Sequence, residues 1–215
     1  MQTYAVIDFE TTGLSPDYGA RATEIAAVLV CDGQLVDRYQ SLMNAGLRVP
    51  AEIQQLTGIS TAMVRQAPPV DVVMREVADF VGDRPLVAHN AAFDKKFWDA
   101  ELSRIGRTRR HEFACSMLLA RRLFPDAPNH KLGNLIARLH LPVTGRYHRA
   151  LADAEATAHL FVHLQHELKR RFALDEIDHA LLLAAQKSTA AKLPECIARH
   201  LKKLQKKPML SAKSD

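Results

Sequence analysis

Cysteine is scarce in this chain, and the three present, Cys31, Cys115 and Cys196, stand far apart. A structural zinc site or a disulfide framework needs thiols in close pairs, so neither is expected and all three read as reduced thiols. No apolar stretch approaches the roughly 20 residues that a membrane-spanning helix requires. The first residues carry neither a charged leader nor a long apolar run, and Tyr4 to Asp8 already reads as a strand. The expected compartment is therefore the cytoplasm, with no membrane partner. Internal repeats and low-complexity blocks are also missing, which sets aside repeat architectures.

What is present describes a folded protein. The 215 residues, 47% hydrophobic and 25% charged, suit one medium domain with an appendage. The net charge of +5 favours polyanionic partners only mildly. Basic residues concentrate in Arg199, Lys202, Lys203, Lys206 and Lys207, so the sign describes a solvated helix surface as readily as a nucleic-acid contact.

Tyr4-Ala5-Val6-Ile7-Asp8, Ile25 to Val30 and Gln34 to Leu42 are β-prone runs. Asp32-Gly33 between the last two is a hairpin signal, which makes those strands antiparallel neighbours. After Pro50 the apolar spacing turns helical, with Ile53 and Leu56 in one short segment, Met63 and Val64 in another, and Gly58 between them. A helix over Val70 to Val81 leads to Pro85-Leu86-Val87-Ala88-His89, a buried strand. Asn90 then caps a helix reaching about Ile105. Phe113 to Cys115 is a last short strand, followed by helices at Ser116 to Leu123, Lys131 to Leu139 and Ala150 to Phe172. Asp175 to Lys207 reads as helical, with a frayed end. Strands first, then strands mixed with helices, predict an α/β fold with a central mixed sheet.

Asp8 and Glu10 stand one residue apart at the end of an apolar strand, so the pleat turns both carboxylates to one face. Like charges side by side repel unless a proton or cation lies between them, and hard divalent ions prefer carboxylate oxygens. As an isolated pair they are ordinary surface acids. His89-Asn90-Ala91-Ala92-Phe93-Asp94 sets Asp94 early in a helix at the end of a buried strand, where it could equally serve the helix dipole. His148-Arg149-Ala150-Leu151-Ala152-Asp153 sets Asp153 in an early turn of the long helix, with His148 leading into it.

In this order, the three segments resemble the motifs of the DEDD exonucleases in their histidine-containing branch (DEDDh, within the RNase T/DnaQ-like superfamily), the branch of the polymerase III epsilon subunit and exonuclease X. Asp8-Phe9-Glu10-Thr11-Thr12-Gly13-Leu14 resembles the first motif, His89 to Asp94 the second and His148 to Asp153 the third, so the likeness spans roughly residues 3 to 165. The resemblance implies an RNase H-like sheet, an antiparallel meander plus parallel strands flanked by helices. It implies residues 1–172 as the exonuclease domain and 173–215 as a helical, basic C-terminal extension.

By that resemblance Asp8, Glu10, Asp94 and Asp153 would hold two divalent cations, Mg2+ or Mn2+, and His148 would be the general base, an imidazole being able to take up a proton near neutrality. Thr11, Thr12, Gly13 and Leu14 would lie beside the terminal nucleotide, with Leu14 as an apolar wedge. Turn formation and packing would explain the same residues. Glu24 would bind the terminal sugar or cap a sheet edge. Leu56-Thr57-Gly58-Ile59 would close over the 3′ nucleotide or form an ordinary turn. His89 and Asn90 would orient the second motif. The implied reaction is removal of nucleoside 5′-monophosphates from DNA 3′ ends, single-stranded or frayed. The alternatives are RNA trimming, or a non-catalytic adaptor binding ends beside a DNA polymerase subunit. Cys115-Ser116 and Leu132-Gly133 depart from the Asp-Thr and Leu-Asp pairs of many relatives. The first departure is nearer exonuclease X and favours a free-standing enzyme over a proofreading subunit.

Overall fold

Alternation along the first strand decides how the molecule is layered. In a computed structural model describing residues 2–143, 145 and 148–205, Thr3–Thr11 forms β1. Its even positions Tyr4 and Val6 enter one core, and its odd positions Ala5, Ile7 and Phe9 enter another. A strand with apolar side chains on both faces must be covered on both. β1 accordingly sits at the centre of a five-stranded sheet ordered β3-β2-β1-β4-β5, where β2 is Ala22–Cys31, β3 is Gln34–Leu42, β4 is Leu86–Ala88 and β5 is Phe113–Cys115. β1, β2 and β3 pair antiparallel, whereas β4 and β5 run parallel to β1. This is the expected mixed sheet, with the meander first. Asp32 and Gly33 both have positive φ, 49° and 74°, the paired left-handed geometry of a type I′ hairpin turn.

One face carries α3 (Val70–Val81) and α4 (Ala92–Arg104), which bury Val73, Val77, Phe97 and Trp98 against it. The other is covered by α5 (Ser116–Leu123), α6 (Leu132–Arg138) and the 23-residue α7 (Ala150–Phe172). Two short helices, α1 (Ala51–Thr57) and α2 (Thr61–Gln66), form a flap with its own small core of Val49, Ile59 and Val64. Gly58 ends α1 at a φ of 75°, which a β-carbon would strain.

Three readings change. Asn90 is not the cap of α4: the cap is Ala91, without a side-chain hydrogen bond, and Asn90 takes a left-handed φ of 62° in the turn before it. Asn tolerates that region better than most residues. The run from Asp175 is not one helix but two, α8 (His179–Lys187) and α9 (Leu193–Gln205), because Ser188 has an extended ψ of 178°. Both helices feed the same core as α7 through Leu181, Leu182, Ala185, Leu193 and Ile197. Lys206, Lys207 and the end expected to fray lie outside the described residues. Lastly, β2 is paired on both sides, so Glu24 does not cap a sheet edge.

Candidate active site

Asp8 and Glu10 continue the even-numbered face of β1, the side on which α7 lies. Beyond β4 the turn at Asn90 starts α4 so that Asp94, its third residue, swings over the end of the sheet. Asp94 is 2% exposed, and its Oδ1 accepts a hydrogen bond from the Phe9 backbone N–H at 3.2 Å. That N–H lies between Asp8 and Glu10, so the second motif is tied to the first by main chain. From the other face, Asp153 sits in the first turn of α7 and its Oδ2 accepts a bond from the His148 backbone N–H at 2.9 Å. His148 itself has a left-handed φ of 63°. All five residues line one cleft of about 580 Å³. Within it Glu10, His148 and Asp153 each offer a ligand atom within 4.8 Å of the others.

The acids crowd one another. Burial, then the charges of Asp94, Asp153, Glu10 and Glu24, push the Asp8 carboxyl well above the usual range. Burial, then Asp153, Glu24 and Asp94, raise Glu10 to about 8. Burial lifts Asp94 to about 7 although the Phe9 N–H pulls the other way. Asp153 is raised as well, again mainly by burial, against the bond from His148. Oxygen ligands that repel one another and lose solvent are a donor set suited to hard divalent cations, which relieve the repulsion protons otherwise must. The residues therefore fit such ions.

The opposite wall is apolar. Leu14, 84% exposed, faces the cleft with Ile53 and Leu56 of α1 and Phe93 of α4. Thr11 and Gly13 also line it, but Thr11 Oγ1 donates to the Gly13 carbonyl at 2.7 Å. Thr12 Oγ1 accepts from the Arg21 N–H at 3.0 Å, so both hydroxyls shape the loop. A β-carbon on Gly13 would meet Ala20 Cβ at 3.3 Å, a packing reason for glycine there. Arg21 in turn forms a two-pronged pair with buried Glu101 of α4, at 2.7 and 2.8 Å.

His89 and Asn90 reach the cleft lining. The His89 ring bridges Ser116 Oγ and the His130 carbonyl, each at 2.9 Å. A carbonyl only accepts, so Nε2 carries the proton and Nδ1 is free to accept from Ser116. Burial holds the ring's pKa down at about 4, in keeping with that neutral form. Its bond to the His130 carbonyl fixes the segment that leads into Lys131. Thr12, Glu24 and Gly58 are not among the lining residues. Glu24 is fully buried, with its carboxylate engaged by Arg149, Ala150 and Gln40. Conversely, Ile53, Lys131 and Asn134 line the cleft and stand outside the three motifs. Lys131 opens a predicted helix and in the structure immediately precedes α6, and no spacing rule ties it to Asp8.

Comparison with known proteins bears on the family and the fold. Residues 5–161 match the family model RNase_T, described as exonuclease. A DNA polymerase III PolC-type of Bacillus cereus is 41% identical over 162 residues, 75% of this chain but 11% of that protein. The chain thus spans about a tenth of the PolC-type relatives it matches. Among solved structures, exonuclease X in complex with 5′ overhanging duplex DNA is 29% identical, with a TM-score of 0.64 over 76% of this chain and 91% of that one. The nuclease domain of 3′hExo, a DEDDh family member, shares the fold at a TM-score of 0.66 and 20% identity, over 77% of this chain and 92% of that one.

Proposed function

The chain belongs to the exonuclease family, and from that premise we propose that it hydrolyses phosphodiester bonds at DNA 3′ ends, one nucleoside 5′-monophosphate at a time. The observation that carries the proposal is the meeting, in one cleft, of Asp8, Glu10, Asp94 and Asp153 with His148. Those four acids are the residues that would hold two divalent cations, Mg2+ or Mn2+, which when bound lower the pKa of a water and offset charge on the attacking and leaving oxygens. His148, exposed beside Asp153, takes up the proton of the attacking water. Leu14, Ile53 and Leu56 offer an apolar surface to the terminal base, which suits an end that is single-stranded or frayed. Lys131, on the same cleft, offers a cation to the phosphates behind it.

DNA is preferred to RNA because the relatives above 25% identity include DNA polymerase III PolC-type chains and an exonuclease X bound to DNA. A DNA polymerase partner belongs to the proposal for the same reason. Digestion of a 3′-labelled single strand with magnesium tests it, beside a matched RNA. Stepwise loss of mononucleotides from DNA is expected, with His148→Ala slower by about 100-fold or more. Faster loss from RNA would make the chain an RNA-trimming enzyme, and binding without cleavage under either metal would make it an adaptor.

A further inference from the structure

A fifth carboxylate stands beside the four acids of the cleft. Glu24 is the direct cross-strand partner of Glu10 in the β1–β2 ladder and is 0% exposed. Its charge raises the pKa of both Asp8 and Glu10. Yet the side chain is fully committed elsewhere. Glu24 Oε1 accepts from Arg149 Nη2 at 2.7 Å and from Gln40 Nε2 at 2.7 Å. Oε2 accepts from Arg149 Nε at 3.1 Å and from the Ala150 backbone N–H at 3.0 Å.

The last bond matters for α7. Arg149, at the cap position, makes no side-chain capping bond, and Ala150 is the first helical residue, so its N–H would otherwise lack a partner. Glu24 supplies that partner from a different element and places a negative charge at the helix N-terminus. The same turn carries Asp153, whose N–H bonds the Arg149 carbonyl at 3.1 Å, and His148, whose N–H bonds Asp153. A continuous set of bonds therefore runs from β2 through Glu24 and Arg149 to the Asp153 carboxylate and the His148 main chain.

We propose that Glu24 and Arg149 are a positioning pair for the cleft, in which Arg149 neutralises Glu24 and the paired carboxylate locks the first turn of α7 against the sheet. This rests on the nuclease reading above. Neither residue needs to touch the substrate. Glu24 is sealed from solvent, which removes it from the sugar-binding role implied by resemblance.

The test compares the full-length chain with Arg149→Met, Glu24→Gln, their double variant and Arg149→Lys. Mn2+ binding is measured by calorimetry, kcat and KM on a labelled strand, and folding by thermal midpoint. Removing a group that orients metal ligands costs about tenfold or more in metal affinity or turnover. Both single variants are expected to lose that much Mn2+ affinity and kcat, with KM within about twofold. The double variant is expected to be no worse than the poorer single, since all three lose the same contact. Arg149→Lys keeps the charge but not the fork, and is expected to fall between. Wild-type Mn2+ affinity and kcat in the folded variants, Arg149→Lys included, would overturn the proposal by making the pair a matter of stability alone. Tighter Mn2+ binding in Arg149→Met with weaker binding in Glu24→Gln would overturn it too, leaving only a charge effect. If the unmutated chain binds Mn2+ but degrades neither DNA nor RNA, the nuclease reading fails while the Mn2+ comparison still decides the positioning role.

Discussion

Glu10 and Asp94 hold protons that an unfolded chain would release. Their carboxyls titrate at about 8 and about 7 in the folded chain, against about 4 in free peptides. The native state binds more protons than the unfolded state between those values, so stability falls as pH rises. It is fully present below the unfolded pKa and lost through the folded one. The thermal midpoint of the metal-free chain should therefore drop between about pH 5 and about pH 9, and Mn2+ should restore it most at the alkaline end; near neutrality, where the carboxyls still hold protons, its binding should release protons that calorimetry in two buffers detects. A midpoint flat across that range would contradict the crowding of acids. Lys131 makes a separate prediction. As a phosphate contact, its loss in Lys131→Ala should raise KM, leave kcat near its original value and lower the salt slope of binding by about one. An unchanged salt slope would place it outside the substrate path. The acid positions are legible in sequence because strand alternation and helix starts fix them. Lys131 is not, because its arrival in the cleft depends on the His89 bond to the His130 carbonyl.

At the scale of elements, the outer edge of β5 is the instructive case. A short edge strand leaves main-chain groups unpaired. Here the Gln186 side chain from α8 completes it, accepting from the Cys115 N–H at 2.6 Å and donating to the Phe113 carbonyl at 3.0 Å. An amide offering one donor and one acceptor mimics a neighbouring strand. Gln186→Leu should orphan both groups and cost about 1–3 kcal/mol per unsatisfied group, read as a lower urea midpoint. A midpoint unchanged within error would mean that water replaces the amide. Nothing in the sequence marks this glutamine. The boundaries of α3, α5 and α7 are legible because apolar spacing sets them. The break at Ser188 is not, since the surrounding residues are good helix formers on both sides.

Across the whole molecule, both faces of one sheet must be closed before the acids can meet. β1 delivers Asp8 and Glu10 on the α7 side, while α4 crosses from the opposite face to bring Asp94. The mixed sheet and its order of motifs follow from strand runs, one Asp-Gly hairpin and three motif segments, all readable along the chain. The role of the C-terminal helices was open in the sequence because their apolar stripe does not name its partner. In the fold, Leu181, Leu182 and Ile197 share one core with Leu164 and Leu168 of α7, so residues up to Ile197 complete the core that supports α7. The most direct test of the central claim is anomalous scattering from a crystal of the chain soaked in manganese. The account predicts two peaks inside the cleft, contacted by Asp8, Glu10, Asp94 and Asp153; peaks elsewhere only, or none, would contradict it.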